Sequence, residues 1–206
     1  MKTKEKIIQS ALRLYNQKGL YNVSSRDICR DLSISPGNFS YHYPSIQRLC
    51  TDLFSRLIQA LESIDSSAEA SSIIRYLDQR KAIMLIQYHY RFFYLNLYDT
   101  LQKFEGIKDF YVLHYQEENA KIIKTYQSFA QQNQFKQALS PSQLKGVQQA
   151  TQILQNSWLI DASLQLDKQL DQLILEYLYQ QIQILLVPYL REKSQQIVAD
   201  YFRNLS

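Results

Sequence analysis

The 206-residue sequence has few residues that interrupt helices or build special sites. It contains 4 glycines, 4 prolines, 2 cysteines and 3 histidines. So few glycines and prolines disfavour a β-sandwich, which needs many short turns, and favour long helices. Cys29 and Cys50 are too few for a disulfide framework, and no spacing typical of a metal site occurs. We therefore expect buried free thiols and no metal.

Long apolar runs are also missing. Ile7–Tyr15, which follows a charged start, is amphipathic, unlike the uniformly apolar segment of a signal peptide. Even the apolar segment Ile182–Tyr189 contains Gln183 and is too short to span a membrane. We expect a cytoplasmic protein that does not bind membranes.

The positive charge is concentrated at one end of the chain. Residues 1–50 carry eight basic and three acidic side chains, whereas residues 51–206 carry 15 basic and 16 acidic ones. A basic end on a nearly neutral body suggests a polyanion partner for that end. Chance is the alternative explanation, because the excess is modest.

The first fifty residues predict three helices in quick succession. Apolar side chains at helical spacing begin at Ile7, and Gly19 ends this first helix. Ser24-Ser25-Arg26-Asp27 has the pattern of a capping box and predicts a second helix of about two turns. Ser35 can cap a third helix with Pro36 in its first position. This layout is typical of a helix-turn-helix unit that reads DNA.

The remaining sequence is helical almost throughout, so the fold class that we predict is all-α. A small-residue break is expected at Ser66–Ser72, and Pro188 should kink or divide the last helix. We predict a helix-turn-helix domain over residues 1–48 and a larger helical bundle over residues 49–206. The later helices are expected near 72–81, 82–103, 107–134, 142–163 and 168–204.

Residues 4–58 resemble the N-terminal domain of TetR/AcrR-type transcriptional regulators. The resemblance is carried by Ile7–Tyr15, Lys18-Gly19, Ser24–Ile28 and Ile34–Ser45. Two positions depart from the family pattern, since Ser40 stands where an aromatic residue is usual and Ile46 where a lysine is frequent. Beyond about residue 65 the resemblance concerns architecture alone. It implies a dimeric DNA-binding regulator whose larger domain releases DNA on binding a small molecule.

The third helix is the predicted reading element. Phe39 and Tyr43 should pack inward, so Tyr41 and His42 face outward and we favour DNA contact for both. Ser45 can cap a fourth helix that begins near Arg48. Arg26 in the second helix and Arg48 in the fourth could hold phosphate or be solvated charges, and the sequence does not favour either. The candidate DNA contacts are Ser25, Arg26, Ser35, Pro36, Gly37, Asn38, Tyr41, His42, Gln47 and Arg48.

The larger domain is rich in aromatic side chains between residues 88 and 115, which could line a pocket for a small apolar or aromatic ligand. Packing in an ordinary core is the alternative for each of them. The candidate ligand contacts are Tyr88, Arg91, Phe92, Tyr111 and Tyr115.

One reading helix covers too few base pairs for specificity, so we expect a homodimer on a near-palindromic double-stranded DNA site. The last two long helices are the expected dimer seam, although their apolar residues could instead fill the core of their own chain. The candidate seam residues are Trp158, Leu159, Leu173, Leu178 and Leu185.

No glycine-rich phosphate loop, nucleophile elbow or metal-ligand set occurs, so we expect neither an enzyme nor a cofactor. The favoured hypothesis is a repressor released by a small molecule. Two alternatives remain: a regulator controlled by a protein partner, and a helical binding protein for small molecules whose DNA-binding unit is vestigial.

Overall fold

A computed structural model describes residues 2–64, 72–165 and 169–205, apart from the side chain of Glu105. Within these residues the chain forms eleven α-helices and no β-strand, which confirms the all-α prediction. The helices are α1 (Thr3–Lys18), α2 (Ser25–Leu32), α3 (Pro36–His42), α4 (Ile46–Ser63), α5 (Ile73–His89), α6 (Arg91–Leu95), α7 (Leu97–Lys103), α8 (Glu105–Gln131), α9 (Pro141–Ala162), α10 (Leu170–Leu185) and α11 (Glu192–Arg203).

Contacts within the chain define two compact units. The first comprises Met1–Leu61 and Gln87–Val112, and the second comprises Glu62–Ile86 and Leu113–Ser206. This division groups residues by packing, and the functional boundary that we predict at residue 48 stays a prediction.

The prediction of a helix boundary near residues 81 and 82 is wrong, because α5 continues to His89. The helix ends where the side-chain amide of Asn16, on α1, binds the backbone. Asn16 Nδ2 donates to the His89 carbonyl at 2.8 Å, and Asn16 Oδ1 accepts from the Phe92 N–H at 3.0 Å. A partner from a distant part of the chain thus satisfies the backbone groups that the break would leave unpaired.

The last predicted helix is divided at Pro188, as expected. A 3-10 turn at Val187–Tyr189 separates α10 from α11. Proline has no N–H to donate and its ring obstructs the preceding turn, so a continuous helix is disfavoured here. The predicted start of this helix at residue 168 lies outside the described residues.

The predicted break at Ser66–Ser72 also lies outside the described residues, with the exception of Ser72. The hydroxyl of Ser72 accepts a hydrogen bond from the Arg75 N–H at 3.2 Å. A serine in this position satisfies one of the unpaired N–H groups at the start of α5.

The core of the first unit forms around α1. Tyr15 is fully buried, and its ring centroid lies 5.4 Å from that of Phe92. Cys29 and Cys50 are buried and free, as predicted, and burial raises the pKa of Cys50 to about 11. The other large apolar side chains of this core include Ile7, Ile8, Leu14, Phe39, Tyr43, Leu49, Leu53 and Phe93.

The second unit has its own core, in which α8 packs beside the α10–α11 connection. The Tyr126 hydroxyl donates to the Leu185 carbonyl at 2.9 Å. Phe135 forms an isolated antiparallel bridge with Leu190, and its ring centroid lies 5.7 Å from that of Tyr126. Burial of several such rings, each contributing roughly 1.5–3 kcal/mol, stabilises this unit.

Candidate nucleic-acid interface

The start of α2 has the capping box that the sequence predicts. Ser24 Oγ accepts from the Asp27 N–H at 3.3 Å, and the Asp27 carboxylate accepts from the Ser24 N–H at 2.9 Å. These hydrogen bonds from Ser24 hold the pKa of Asp27 below its usual value. The first turn of α2 therefore has a defined geometry, with Ser25 half-buried and Arg26 exposed beside it.

A three-residue turn joins α2 to α3. Ser33 adopts the left-handed conformation with a φ of 52°, and the Ile34 N–H donates to the Cys29 carbonyl at 3.0 Å. Ser35 Oγ accepts from the Asn38 N–H at 3.1 Å, with Pro36 in the first helical position. Both sides of the turn are thereby capped, which fixes the direction in which α3 leaves it.

The inner face of α3 is anchored to α4. Phe39 and Tyr43 are buried, as predicted. The Tyr43 hydroxyl donates to the Asp52 carboxylate at 2.6 Å, and burial followed by this bond raises the pKa of Tyr43. The Asp52 carboxylate also pairs with Lys4 at 3.1 Å and with Arg56 at 3.3 Å.

Two further carboxylates join α1 to the neighbouring helices. Glu5 forms a bidentate pair with Arg56 on α4, at 3.1 and 2.9 Å. Asp31 on α2 accepts from Ser10 at 2.5 Å and pairs with Arg13, both on α1. Hydrogen bonds from Ser10 and Arg13 keep the pKa of Asp31 below its usual value. These acidic side chains are thus engaged internally.

Several cations of this region remain exposed. Within the described part of the chain, the side chains of Arg26 and Arg48 have no hydrogen bond or ion pair. With the carboxylates occupied, these guanidinium groups give the surface a positive potential. Gln47 and Arg48 lie in the first turn of α4, where Ser45 Oγ accepts from the Arg48 N–H at 3.1 Å.

The outer face of α3 is formed by short or exposed side chains. Pro36, Gly37 and Asn38 are exposed, and Tyr41 is 85% exposed. His42 is half-buried, and its ring lies edge-on to Tyr41 with the centroids 5.0 Å apart. The structure thus places the predicted reading residues on one short helix and turns the Tyr41 ring outward.

Packing within the chain does not require a glycine at position 37. Apart from its neighbours along the helix, a Cβ added here would meet only Ser35 Oγ, at 3.9 Å. An alanine would therefore fit without displacing another side chain. The lack of a side chain at Gly37 would matter only to something that approaches the helix from outside.

The five residues predicted to contact a ligand are divided between the two compact units. Tyr88, Arg91, Phe92 and Tyr111 belong to the first unit and Tyr115 to the second. The Arg91 guanidinium stacks on the Tyr88 ring at 4.5 Å. Phe92 packs against Tyr15 instead, and the ring of Tyr111 lies near that of Phe93 at 6.0 Å.

The first unit also has an open depression of about 460 Å³ that sequence reasoning missed. The Lys103 ammonium lies over the Tyr21 ring, 4.7 Å from its centroid. The two residues are far apart in sequence, so no local pattern signals their contact. The depression is lined by Tyr21, Tyr98, Asp99, Gln102 and Lys103.

The residues predicted for a dimer seam are buried in the second unit of their own chain. Leu178 is completely enclosed, and the ring of Trp158 packs against Tyr177 with centroids 5.7 Å apart. Leu159, Leu173 and Leu185 are also buried. Their positions fit the alternative that they fill their own core. Other apolar side chains between residues 153 and 184 are exposed: Ile153, Ile160, Leu164, Tyr179 and Ile184.

A buried polar cluster in the second unit was not foreseen. The guanidinium of Arg80 on α5 donates to the side-chain oxygens of Gln155 on α9 and Gln181 on α10. All three residues are buried. A charged residue on a helix is normally interpreted as solvent-facing, so the sequence pattern alone conceals this cluster.

The described residues have neither a membrane-spanning helix nor a metal-binding cluster. None of their helices is both long and apolar enough to cross a membrane. No group of three or more histidine, cysteine, aspartate or glutamate side chains among them could hold a metal ion.

Two family profiles match the sequence. One, described as bacterial regulatory proteins of the tetR family, matches residues 7–52. The other, TetR, described as bacterial transcriptional repressor, matches residues 54–198. A curated relative, the probable HTH-type transcriptional regulator YttP of Bacillus subtilis (strain 168), is 30% identical over 74 residues. That match spans 34% of this chain and 36% of the relative.

Solved structures share the fold over nearly the whole chain. A TetR-family transcriptional regulator from Marinobacter aquaeolei VT8 has a TM-score of 0.87 at 21% identity, covering 100% of this chain and 99% of its own. A γ-butyrolactone receptor described as ArpA-like has a TM-score of 0.70 at 11% identity, with coverages of 98% and 95%. For CprB of S. coelicolor A3(2) the TM-score is 0.69 at 11% identity, with coverages of 100% and 98%. At these identities the likeness shows the fold.

Proposed function

Because the chain belongs to the TetR family of bacterial transcriptional regulators, we propose that it is a repressor which binds a near-palindromic operator as a homodimer. Release from DNA follows the binding of a small molecule to the larger domain. We propose a cytoplasmic location, because a repressor must reach the chromosome. We also propose that the protein has no catalytic activity.

The observation that carries the proposal is the outer face of α3. A short helix held by the Ser35 cap and by the Tyr43–Asp52 hydrogen bond can enter the major groove as a rigid element. Asn38 offers a donor and an acceptor to base edges. The exposed Tyr41 can contact a phosphate through its hydroxyl or a thymine methyl through its ring. Gly37 then lets the backbone of α3 approach the DNA closely.

The phosphate contacts are assigned to the starts of the helices. Free N–H groups at a helix N-terminus attract phosphate, which suits Ser25 and Arg26 on α2. Gln47 and Arg48 on α4 can hold the backbone on the other side of the groove, although Ile46 replaces the lysine frequent in the family. Ser35, Pro36 and His42 complete the surface beside the reading residues. Because α3 has no arginine or lysine, recognition should depend partly on DNA shape.

For the dimer, the exposed apolar side chains are better candidates than the buried ones. Ile153 and Ile160 on α9 are 66% and 54% exposed and lie seven residues apart, hence on one face of the helix. Leu164, four residues further, is 78% exposed. Packing against a second copy of the chain would bury this apolar strip, formed by Ile153, Ile160 and Leu164. We therefore propose that this strip, together with Ile184 on α10, forms the seam.

A small-molecule signal is favoured over a protein partner by the family. One solved relative of the same fold is named as a receptor for γ-butyrolactone, a small molecule. The region of Tyr88, Arg91, Phe92, Tyr111 and Tyr115 remains a candidate for ligand contacts. Regulation by a protein partner is the second candidate, and it requires no cavity.

The proposal is tested on DNA. The full-length protein is used to select fragments from its own genome, with the DNA flanking its own gene included, and the bound fragments are footprinted. We expect protection of two half-sites related by a dyad. Tyr41→Ala should weaken binding by about tenfold or more, whereas Tyr98→Ala, which alters an exposed tyrosine on α7, should leave it unchanged. Failure to protect any palindrome would contradict the proposal.

A further inference from the structure

Arg80 is a buried cation in the core of the second unit. Its residue is 5% exposed, and it lies on α5 between the buried Leu77 and Met84. A guanidinium keeps its charge in proteins, so it cannot escape burial by losing a proton. Enclosing such a charge is costly unless an opposite charge accompanies it.

The partners of Arg80 are neutral. Its two terminal nitrogens donate to the amide oxygens of Gln155 and Gln181, the latter at 3.1 Å. None of the ion pairs in the described part of the chain involves Arg80. The positive charge is thus solvated by dipoles and left without a counter-charge among these residues.

Further donors nearby lack acceptors. Thr151 and Gln152 lie on α9 four and three residues before Gln155, a spacing that places all three on the same side of the helix. Both are buried, and neither Thr151 Oγ1 nor Gln152 Nε2 has a hydrogen-bond partner. A hydroxyl and an amide NH₂ can both donate, so two buried groups near Gln155 could each offer a hydrogen bond to an acceptor.

The charge of Arg80 acts on a buried tyrosine, Tyr126. Burial raises the pKa of Tyr126 strongly and Tyr76 adds to the rise, whereas the positive charge of Arg80 opposes it. Tyr76 lies one turn before Arg80 on α5, and its ring packs edge-on against Phe129 at 5.7 Å. Tyr76, Tyr126 and Phe129 are all buried in the same unit as Arg80.

We propose that Arg80 anchors the carboxylate of an organic acid with an apolar body. The planar guanidinium matches a carboxylate in a bidentate pair. One positive charge with neutral neighbours balances one negative charge, which favours a monocarboxylate over a phosphate dianion. On binding, the amides of Gln155 and Gln181 can rotate and present their NH₂ groups to the acid. The inference rests on the proposed sensor role of the larger domain and names the ligand class.

The chain contains its own reporter for this site. Trp158 is the single tryptophan of the sequence, is buried, and lies three residues after Gln155 on α9. The full-length protein is titrated with octanoate and phenylacetate, and with their methyl esters, while tryptophan fluorescence and the melting temperature are measured. We expect saturable changes with the acids and binding weaker by about tenfold or more with the esters.

Two arginine variants form a matched pair. Arg80→Met removes the charge but keeps a long side chain, and it should weaken binding of the acids by about tenfold or more. Arg203→Met removes the same charge from an exposed position on α11 and should bind as the wild type does. If Arg80→Met does not fold, Arg80→Lys, which keeps the charge but not the fork, should still bind the acids more weakly. The inference is overturned if Arg80→Met binds the acids as tightly as the wild type, if the esters bind equally well, or if no acid binds at millimolar concentration.

Operator binding is measured separately, so that the two proposals can fail independently. Arg80→Met should retain operator affinity, and its complex should no longer dissociate on addition of the acids. If the protein binds the acids but protects no palindrome, the acid site is supported and the proposed repressor function is contradicted. If it binds an operator but no acid affects that binding or the protein, the repressor function is supported and the acid site is contradicted.

Discussion

Tyr43 donates its phenolic hydrogen bond to the carboxylate of Asp52, and this contact joins the last turn of α3 to α4. We expect Tyr43→Phe to lower the free energy of unfolding by about 1 to 2 kcal/mol, because a charged acceptor in a half-buried site loses its donor. Urea denaturation measures the change. Operator affinity should fall as well, since the orientation of α3 depends on this bond.

The control for this change is Tyr41→Phe, which removes a hydroxyl from an exposed ring on the same helix. Its stability should equal that of the wild type. A Tyr43→Phe protein with unchanged stability and unchanged operator affinity would show that the bond does not position the reading helix.

Acid should destabilise the protein through the carboxylates that join its helices. Burial raises the pKa of Asp52, but hydrogen bonds from Tyr43 and Lys4 outweigh it and leave the pKa lowered. The pKa of Asp31 is also lowered, through Ser10 and Arg13. A carboxyl with a lowered folded-state pKa stabilises the fold fully above its unfolded value of about 4, and this stabilisation is lost as the pH falls through the folded pKa.

The free energy of unfolding, measured by urea from neutral pH down to strongly acidic pH, should therefore decline below about pH 4 to 5. The Asp31→Asn variant should lose part of this pH dependence. The control variant Asp99→Asn, at an exposed position, should have the same pH dependence as the wild type. Equal pH profiles for the wild type and Asp31→Asn would contradict the assignment.

Gly37→Ala should separate stability from DNA binding. The added methyl group fits the fold, and alanine favours a helix over glycine by about 0.5 to 1 kcal/mol. We expect an equal or higher melting temperature together with operator binding weakened several-fold. Gly106→Ala, at a glycine that also has open space for a Cβ, serves as the control and should bind normally. If Gly37→Ala binds the operator as the wild type does, the backbone of α3 does not approach the DNA closely at Gly37.

The dimer seam is tested with charges. Ile153→Glu combined with Ile160→Glu should give a folded monomer in analytical ultracentrifugation, because two carboxylates would face their copies across the seam. Ile74→Glu, which changes an exposed isoleucine on α5, should leave the oligomeric state unchanged. A double variant that sediments like the wild type would place the seam elsewhere.

Local chemistry could be predicted from the sequence. The caps at Ser24 and Ser35 depend on residues three positions apart, and the burial of Phe39 opposite the exposed Tyr41 follows from helical periodicity. The family resemblance, too, rests on this segment, and the matching profiles confirm it.

The features that eluded prediction depend on distant partners. The end of α5 is determined by Asn16, which lies 73 residues before His89 in the sequence. Arg80 owes its burial to glutamines 75 and 101 residues away. The apolar pattern of α9 cannot tell Trp158, which faces its own core, from Ile160, which stays exposed, because both lie on apolar stripes.

The discontinuous composition of the first unit has a consequence for its synthesis. Phe92 and Phe93, with Phe104 and Ile107, complete a core whose remaining members come from the first 61 residues and from Tyr94. Because a chain emerges from the ribosome N-terminus first, α1 to α4 are made before their covering aromatic side chains exist. We therefore expect the first unit, which contains the DNA-reading helix, to complete its folding only after residue 112 has emerged. By then residues 62–86, which separate the two parts of this unit in the sequence, have also been synthesised.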